Sequence, residues 1–353
     1  MTRIKILKYP DKKKILEIKY LINKFWKNKN RKKHVLVRRP EVFDWLYKKQ
    51  NKKYNFYFTN NSNFICNGFL GFLKNSKFSK NLKKTNVIWL SMWLSDSNFR
   101  LRKKNSHDYE MTGFYIILKF LKDFKKNVIA TIGCNEKTRV IYEKLGFKVG
   151  ELSHAYFLNP YLKNFKIAKI NYRKCQKFKK NFNNFYFKNI DISYLKKTDF
   201  EKTNRKIFYK DIDFFLNKYK KNTFYKYDFC ALFNNKKLIF FLVTKEIIIK
   251  NRKVLRIIDF FGSLNYFKFT ATQFLKIFKK FNYEYIDFYC YGLSKKDLNK
   301  GGFLINSLNS KNIIPNYFEP YVQSNIKINF AYNPDLTEKI YFFKGDCDQE
   351  RPN

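Results

Sequence analysis

Acidic residues are scarce in this chain: 28 Asp and Glu stand against 74 Lys and Arg in 353 residues, a formal net charge of +46. Histidine is scarcer still, at three copies, and the six cysteines (66, 134, 175, 230, 290 and 347) form no Cys-x-x-Cys pair. That combination argues against a zinc site or a disulfide framework, so the expectation is no metal and buried, reduced thiols. Long apolar runs are also missing. None reaches the roughly 18 residues of a spanning helix, and the longest candidate, residues 238–249, is interrupted by Lys245 and Glu246. The opening MTRIKILKYPDKKK has no apolar stretch of the kind a secretory signal needs. The expected compartment is the cytosol, with no stable membrane insertion.

Apolar material is plentiful. Hydrophobic residues make up 45% of the chain and aromatics 20%, with 41 Phe and 26 Tyr. That is enough for packed cores and for two domains of ordinary size. The positive charge has two sources that the sequence leaves open. One is selection for a polyanion or an anionic surface. The other is compositional: the over-used Lys, Asn, Phe, Ile and Tyr have A/T-rich codons, while Gly, Pro and Ala are few, and the basic residues are spread along the whole chain. Attraction for phosphate-bearing molecules follows from either.

The pattern along the chain predicts a short strand near 3–7, helices over 15–26 and 41–49, and strands over 54–59 and 64–73 joined by a turn of Asn and Ser. Residues 87–94 (VIWLSMWL) are apolar enough for a strand buried on both faces. A polar stretch, 95–112, precedes a helix over 114–124 with Ile117, Phe120, Leu121 and Phe124 on one face. Residues 128–132 read as a buried strand. Asn135 is placed to cap the next helix, and Gly146 to end it. The second half repeats this order: strands over 228–233, 238–250 and 254–261, a helix carrying Phe274, Leu275, Phe278 and Phe281, then a strand over 285–289. The repetition predicts a structural duplication, divided within the basic stretch 163–180.

The stretch Asn135-Glu-Lys-Thr-Arg-Val-Ile-Tyr142-Glu-Lys-Leu-Gly146-Phe147 resembles the last motif of GNAT acyltransferases. In that family an Asn ends the fifth strand, a small residue follows three positions later, a Tyr at seven and Gly-Phe at eleven and twelve. Here those places hold Asn135, Thr138, Tyr142, Gly146 and Phe147. The resemblance implies an α/β fold of the mixed-sheet, α+β kind, with two tandem GNAT-like domains, 1–165 and 166–353. The second is degenerate and either non-catalytic or shapes the acceptor site. It also implies acetyl-CoA or another acyl-CoA as co-substrate. In the family the fourth and fifth strands splay apart, the pantetheine arm enters between them, and backbone groups polarise the thioester carbonyl. Trp93 and Leu94 then fall at the splay, Asn135 and Gly113 join the cofactor side, and Tyr142 is the general acid that protonates the thiolate. Plain core packing with a hydrogen-bonded hydroxyl is the other reading of Tyr142.

The chain departs from the family at the pyrophosphate signature. Where the family has Arg/Gln-x-x-Gly-x-Gly/Ala before a helix, this chain has Glu110-Met-Thr-Gly113-Phe-Tyr115. Only Gly113 fits, and a carboxylate stands near the phosphates, offset by Arg100, Arg102, Lys103 and Lys104. Ahead of the first hairpin, residues 34–45 place Arg39, Glu41, Asp44 and Trp45 on the side that lines the acceptor in GNAT folds. The acidic tail from Gly345 to Arg351 either docks on basic surface or stays solvated. As a whole the chain is similar to tandem GNAT-like proteins of bacterial surface-polysaccharide gene clusters, which implies an amine or amino-sugar acceptor. Two alternatives stand beside this: a FemAB-like peptidyltransferase, also built from two GNAT halves and using aminoacyl-tRNA, and a non-catalytic binding protein. The oligomeric state is not encoded in these features.

Overall fold

The computed structural model describes residues 5–30, 34–49, 51–61, 63–85, 87–96, 112–172, 184–333 and 340–350. They form two compact units, one of Met1–Lys77 and Thr85–Thr131, the other of Phe78–Lys84 and Ile132–Asn353.

The first unit runs β1 (Ile6–Lys8), α1 (Lys12–Asn30), α2 (Val35–Arg38), α3 (Pro40–Tyr47), β2 (Phe56–Asn60), β3 (Cys66–Lys74), β4 (Val87–Ser95), α4 (Thr112–Asp123) and the first four residues of β5 (Val128–Cys134). The strands lie side by side in that order, and only β4 and β5 are parallel. A parallel pair needs a crossover, which α4 supplies. The near-continuous apolar runs of β3 and β4 suit strands covered on both faces. Ile116, Ile117 and Phe120 of α4 and Ile15, Ile18, Leu21 and Ile22 of α1 are buried, each set at helical spacing. Phe120 meets Tyr57 and Phe72, both at 5.1 Å between ring centres.

The second unit holds α5 (Glu136–Lys144), β6 (Lys148–Glu151), β7 (Ser153–Leu158), β8 (Phe185–Asn189), α6 (Asp199–Phe208), α7 (Ile212–Phe215), β9 (Asp228–Asn234), β10 (Lys237–Ile249) and β11 (Arg252–Gly262). It continues with α8 (Ala271–Phe281), β12 (Tyr285–Tyr291), α9 (Lys295–Lys300), β13 (Leu304–Asn306), β14 (Tyr317–Phe318), β15 (Tyr321–Val322), β16 (Asn329–Tyr332) and β17 (Phe342–Phe343). Its main sheet has the order β13-β7-β12-β11-β10-β9-β8, with β17 added against β12. Here too one pair is parallel, β11 with β12, linked by α8. Two strands exchange places along the chain: β7, from before residue 165, lies in this sheet against β12, while β16 pairs with β6.

One device occurs in both units. The β4–β5 ladder ends at Leu90–Thr131, and the next residue of β4, Ser91, is a bulge, because Phe72 faces Leu90 while Gly71 faces Met92. The β11–β12 ladder ends at Ile257–Phe288. Its next residue, Ile258, is again a bulge, between Thr244–Ile257 and Val243–Asp259. A bulge bends its strand and interrupts pairing, so in each unit the central strand turns away where the parallel ladder stops.

Charged groups are buried in the second unit. Arg256 donates through Nε and Nη2 to Asp287 (2.9 and 2.6 Å) and through Nη1 and Nη2 to the carbonyls of Asn316 and Pro315. His154 Nε2 lies 3.3 Å from the same carboxylate. Burial pushes the Asp287 carboxyl up, but the Arg256 guanidinium and the His154 contact outweigh it and hold it at about 2.

A second cluster joins Lys210 to Asp259 (2.7 Å) and to Asp346, with the Tyr219 hydroxyl donating to Asp259 at 2.7 Å. Two carboxylates share one ammonium there. Burial pushes the Asp346 carboxyl to about 6, with Lys210 opposing and Asp259 adding to the rise. A carboxyl raised in the folded state stabilises most below its ordinary value of 3.8, and that contribution is lost as pH rises through about 6. Thermal melts from pH 4 to 7 are therefore expected to show a decline in Tm across this window that Asp346→Asn lacks; parallel curves for the two proteins would contradict it.

Candidate active site

The bulge residue of β4 carries a hydroxyl in an otherwise apolar strand, and that hydroxyl is used. Tyr47, at the end of α3, donates to Ser91 Oγ at 3.0 Å, tying α3 to the point where β4 leaves β5. Beyond it, Ser91–Ser95 are half-buried, and Leu94 stands opposite Phe69 of β3. Trp93 Nε1 donates to the carbonyl of Gly113 at 3.0 Å. A Cβ at Gly113 would lie 3.0 Å from Ser95 Oγ and 3.1 Å from Trp93 Nε1. Glycine is thus what lets the first turn of α4 sit directly on β4 beyond its ladder with β5. No acidic residue occupies that first turn itself. Tyr115, where the family has a small residue, is half exposed. Glu110 and the basic residues 100 and 102–104 lie outside the described residues.

The four acceptor-side candidates gather on α3. Arg39 precedes its first turn and makes no side-chain cap, Glu41 is exposed, and Trp45 is half-buried. Asp44 is engaged within the fold: it accepts from the Tyr54 hydroxyl at 3.0 Å and lies 3.6 Å from Lys48 Nζ. Burial, with Asp44 adding, pushes the Tyr54 phenol up to about 12. Sequence reasoning missed Tyr47 and Ser91. The lone hydroxyl inside VIWLSMWL was the available signal.

In the second unit, α5 is built as its sequence predicts. Asn135 Oδ1 accepts from Thr138 N–H at 2.9 Å, and Gly146 follows the helix with φ +84°, where a side chain would be strained. Tyr142 is 1% exposed, its ring 5.2 Å from Phe147. Asn329 of β16 donates to Cys134 O and Glu136 Oε1, both at 3.1 Å, and so fixes the entry to the helix. Burial pushes the Cys134 thiol up to about 12. Cys66, Cys134, Cys230, Cys290 and Cys347 are thiols outside any disulfide; Cys175 lies outside the described residues. Among the described residues no group of His, Cys, Asp or Glu could hold a metal ion, and no helix is long and apolar enough to cross a membrane.

No family model and no curated protein matches the chain. Solved structures do. A GCN5-related N-acetyltransferase from Anabaena variabilis superposes with a TM-score of 0.53 at 8% identity, over 93% of this chain and 72% of that one. A conserved protein of unknown function from Enterococcus faecalis gives 0.51 at 10% identity, over 93% and 72%. The chain has the GNAT fold. The glucosamine N-acetyltransferase region of a fungal multi-domain β-N-acetylglucosaminidase gives 0.52 at 8% identity, over 94% of this chain and 38% of that longer one. At such identities the likeness is one of fold, and the mixed α/β architecture expected from the sequence is the one found. The residues of the first unit fit an acyl-CoA arm: a central strand that leaves its parallel neighbour at a bulge, and a glycine holding a helix N-terminus against that strand.

Proposed function

We propose that the chain is an N-acyltransferase that moves an acetyl or longer acyl group from CoA to an amine. The observation that carries this reading is the half of β4 beyond the end of its parallel ladder with β5, Ser91–Ser95, with Gly113 seated on it through Trp93. In the proposed reaction, extended backbone of β4 around Trp93 and Leu94 binds the pantetheine amides and polarises the thioester carbonyl. A neutral acceptor amine attacks that carbon. The C–N bond forms, the C–S bond breaks, and the thiolate takes the proton of the Tyr142 hydroxyl, while the proton lost by the amine passes to solvent and restores the phenol. Arg39, Glu41, Asp44 and Trp45 are the proposed acceptor contacts, and Asn135 sets the start of the helix that carries Tyr142. A mix of acid, base and one aromatic suits a hydroxyl-rich acceptor, and an amino-sugar of surface-polysaccharide synthesis, made in the cytosol, is the proposed class. The second half, from about residue 166, is read as a GNAT-like lobe without a catalytic centre.

Gly113→Val tests the cofactor side. A branched side chain must push α4 off Trp93 and Ser95, so acetyl-CoA affinity by calorimetry is expected to fall roughly tenfold or more, the cost of one displaced anion-binding turn. Unchanged affinity would contradict it. The salt dependence of binding should be shallow for a single CoA, whereas a steep slope would point to a longer polyanion such as tRNA.

A further inference from the structure

The second sheet has a cleft of the same construction, and the chain fills it with its own C-terminal end. β11 and β12 stop pairing at Ile257–Phe288, and β17 enters beyond that point. It pairs with β12 at Cys290–Phe343 and Tyr291–Phe342. The Lys344 N–H then donates to Tyr289 O at 3.3 Å, and the Gly345 N–H to Ile258 O, the bulge carbonyl of β11, at 2.9 Å. The segment therefore hydrogen-bonds to both strands just where their own ladder has ended.

Its fixation is extensive. Every residue from 342 to 349 is buried, which replaces both sequence expectations for this acidic tail, docking on the surface or solvation. The Phe343 ring stacks on Phe288 at 5.6 Å. The Gly345 carbonyl accepts from the Lys218 ammonium and from the Tyr219 hydroxyl. Asp346 completes the Lys210 cluster, and the side chain of Gln349 lies over Gly133, where any Cβ would overlap it. Withdrawing the segment would strip Lys210 of one buried partner, which is strongly unfavourable. The far end of this cleft is closed as well. Thr270, just before α8, donates to Gly301 O at 3.1 Å, so the end of α9 covers the helix terminus that corresponds to the one Gly113 opens.

We infer that the second cleft is a strand-binding groove whose ligand is the chain's own segment 342–350, lying where the GNAT fold would take a pantetheine arm, so that the chain takes up one acyl-CoA and not two. The chemistry of exchange is simple. A pantetheine arm offers amide groups to a splayed strand, and an added β-strand offers the same groups in a regular array with side chains for specificity. The stoichiometry rests on the acyl-CoA reading of the first unit; the occupancy of the groove does not.

Hydrogen exchange on the full-length chain tests the occupancy. Amides of 342–346 are expected to exchange as slowly as those of β12; fast exchange there with β12 protected would overturn the inference. Gly345→Leu sharpens the test, because a Cβ at this position would stand 2.9 Å from Ile258 Cγ2 and 3.0 Å from its carbonyl oxygen, and would overlap Tyr219. The variant is expected to lose protection roughly tenfold or more across 342–350 and the facing parts of β11 and β12, with peptides of β1–β4 unchanged. Unaltered exchange overturns the proposal. Should the variant fail to fold, exchange in the unaltered chain decides. Calorimetric titration of the unaltered chain with acetyl-CoA is expected to give one site per chain. Two sites overturn the proposal. None removes the acyl-CoA reading of the first unit and leaves exchange to decide the groove, so the two failures are told apart.

Discussion

Asp287→Asn lowers the unfolding free energy of the second unit by about 3–5 kcal/mol, the scale for removing one partner of a buried ion pair. Asp287 is fully buried and Arg256 is 3% exposed. The carboxylate accepts from the guanidinium Nε and Nη2 and faces His154. Asn has nearly the same shape but no charge. The Arg256 cation stays buried because its other donors remain tied to the carbonyls of Asn316 and Pro315. Two of the strands joined here, β11 and β12, are those that hold the C-terminal segment, so the loss should also loosen that segment. Urea unfolding followed by aromatic fluorescence measures the change, and a shift below about 1 kcal/mol, the range of surface pairs, would contradict a structural role for this pair. The ion pair also has a pH signature. Because the folded carboxyl is held at about 2, its contribution is present above the ordinary value of 3.8 and is lost as pH falls toward 2.

Tyr142→Phe is expected to reduce turnover roughly 10²-fold or more, the usual scale for losing a general acid, with acetyl-CoA affinity nearly unchanged, since the proton moves only in the transition state. The ring is buried against Phe147, and Phe fills the same space, so the fold survives at a cost of no more than about 1 kcal/mol, the scale of one hydrogen bond. Melting temperature and single-turnover rate on one preparation separate the two roles of this residue. A slightly destabilised but fully active Phe variant makes Tyr142 a packing residue and leaves thiolate protonation to water or another group.

Much of the fold was legible because its signals are local. The Asn135 cap, the Gly146 terminator and the apolar stripe of α4 each lie within one or two helical turns, and β4 announces itself by an apolar run interrupted only by Ser91. The repeat of strand pair, central strand, helix and strand was visible for the same reason. What escaped depends on contacts far apart in sequence. Nothing near Ser153–Leu158 says that β7 joins the second sheet, or near Asn329–Tyr332 that β16 returns to β6. The tail read as polar, docked on basic surface or solvated, because its partner is remote in sequence; Asp346 is buried beside Lys210, more than a hundred residues away. At the candidate site, Trp93, Leu94 and Gly113 were proposed through the family spacing. Tyr47 and Ser91, which join α3 to the β4 bulge, were found only in three dimensions.

The most direct test of the central claim is hydrogen exchange of the full-length chain with and without acetyl-CoA at about millimolar concentration, the upper range of ordinary substrate affinities. Binding along β4 beyond its ladder with β5 predicts slowed exchange in Ser91–Ser95 and in the first turn of α4 around Gly113, with β11, β12 and the C-terminal segment unchanged. No slowing anywhere, or slowing confined to the second sheet, would contradict the account.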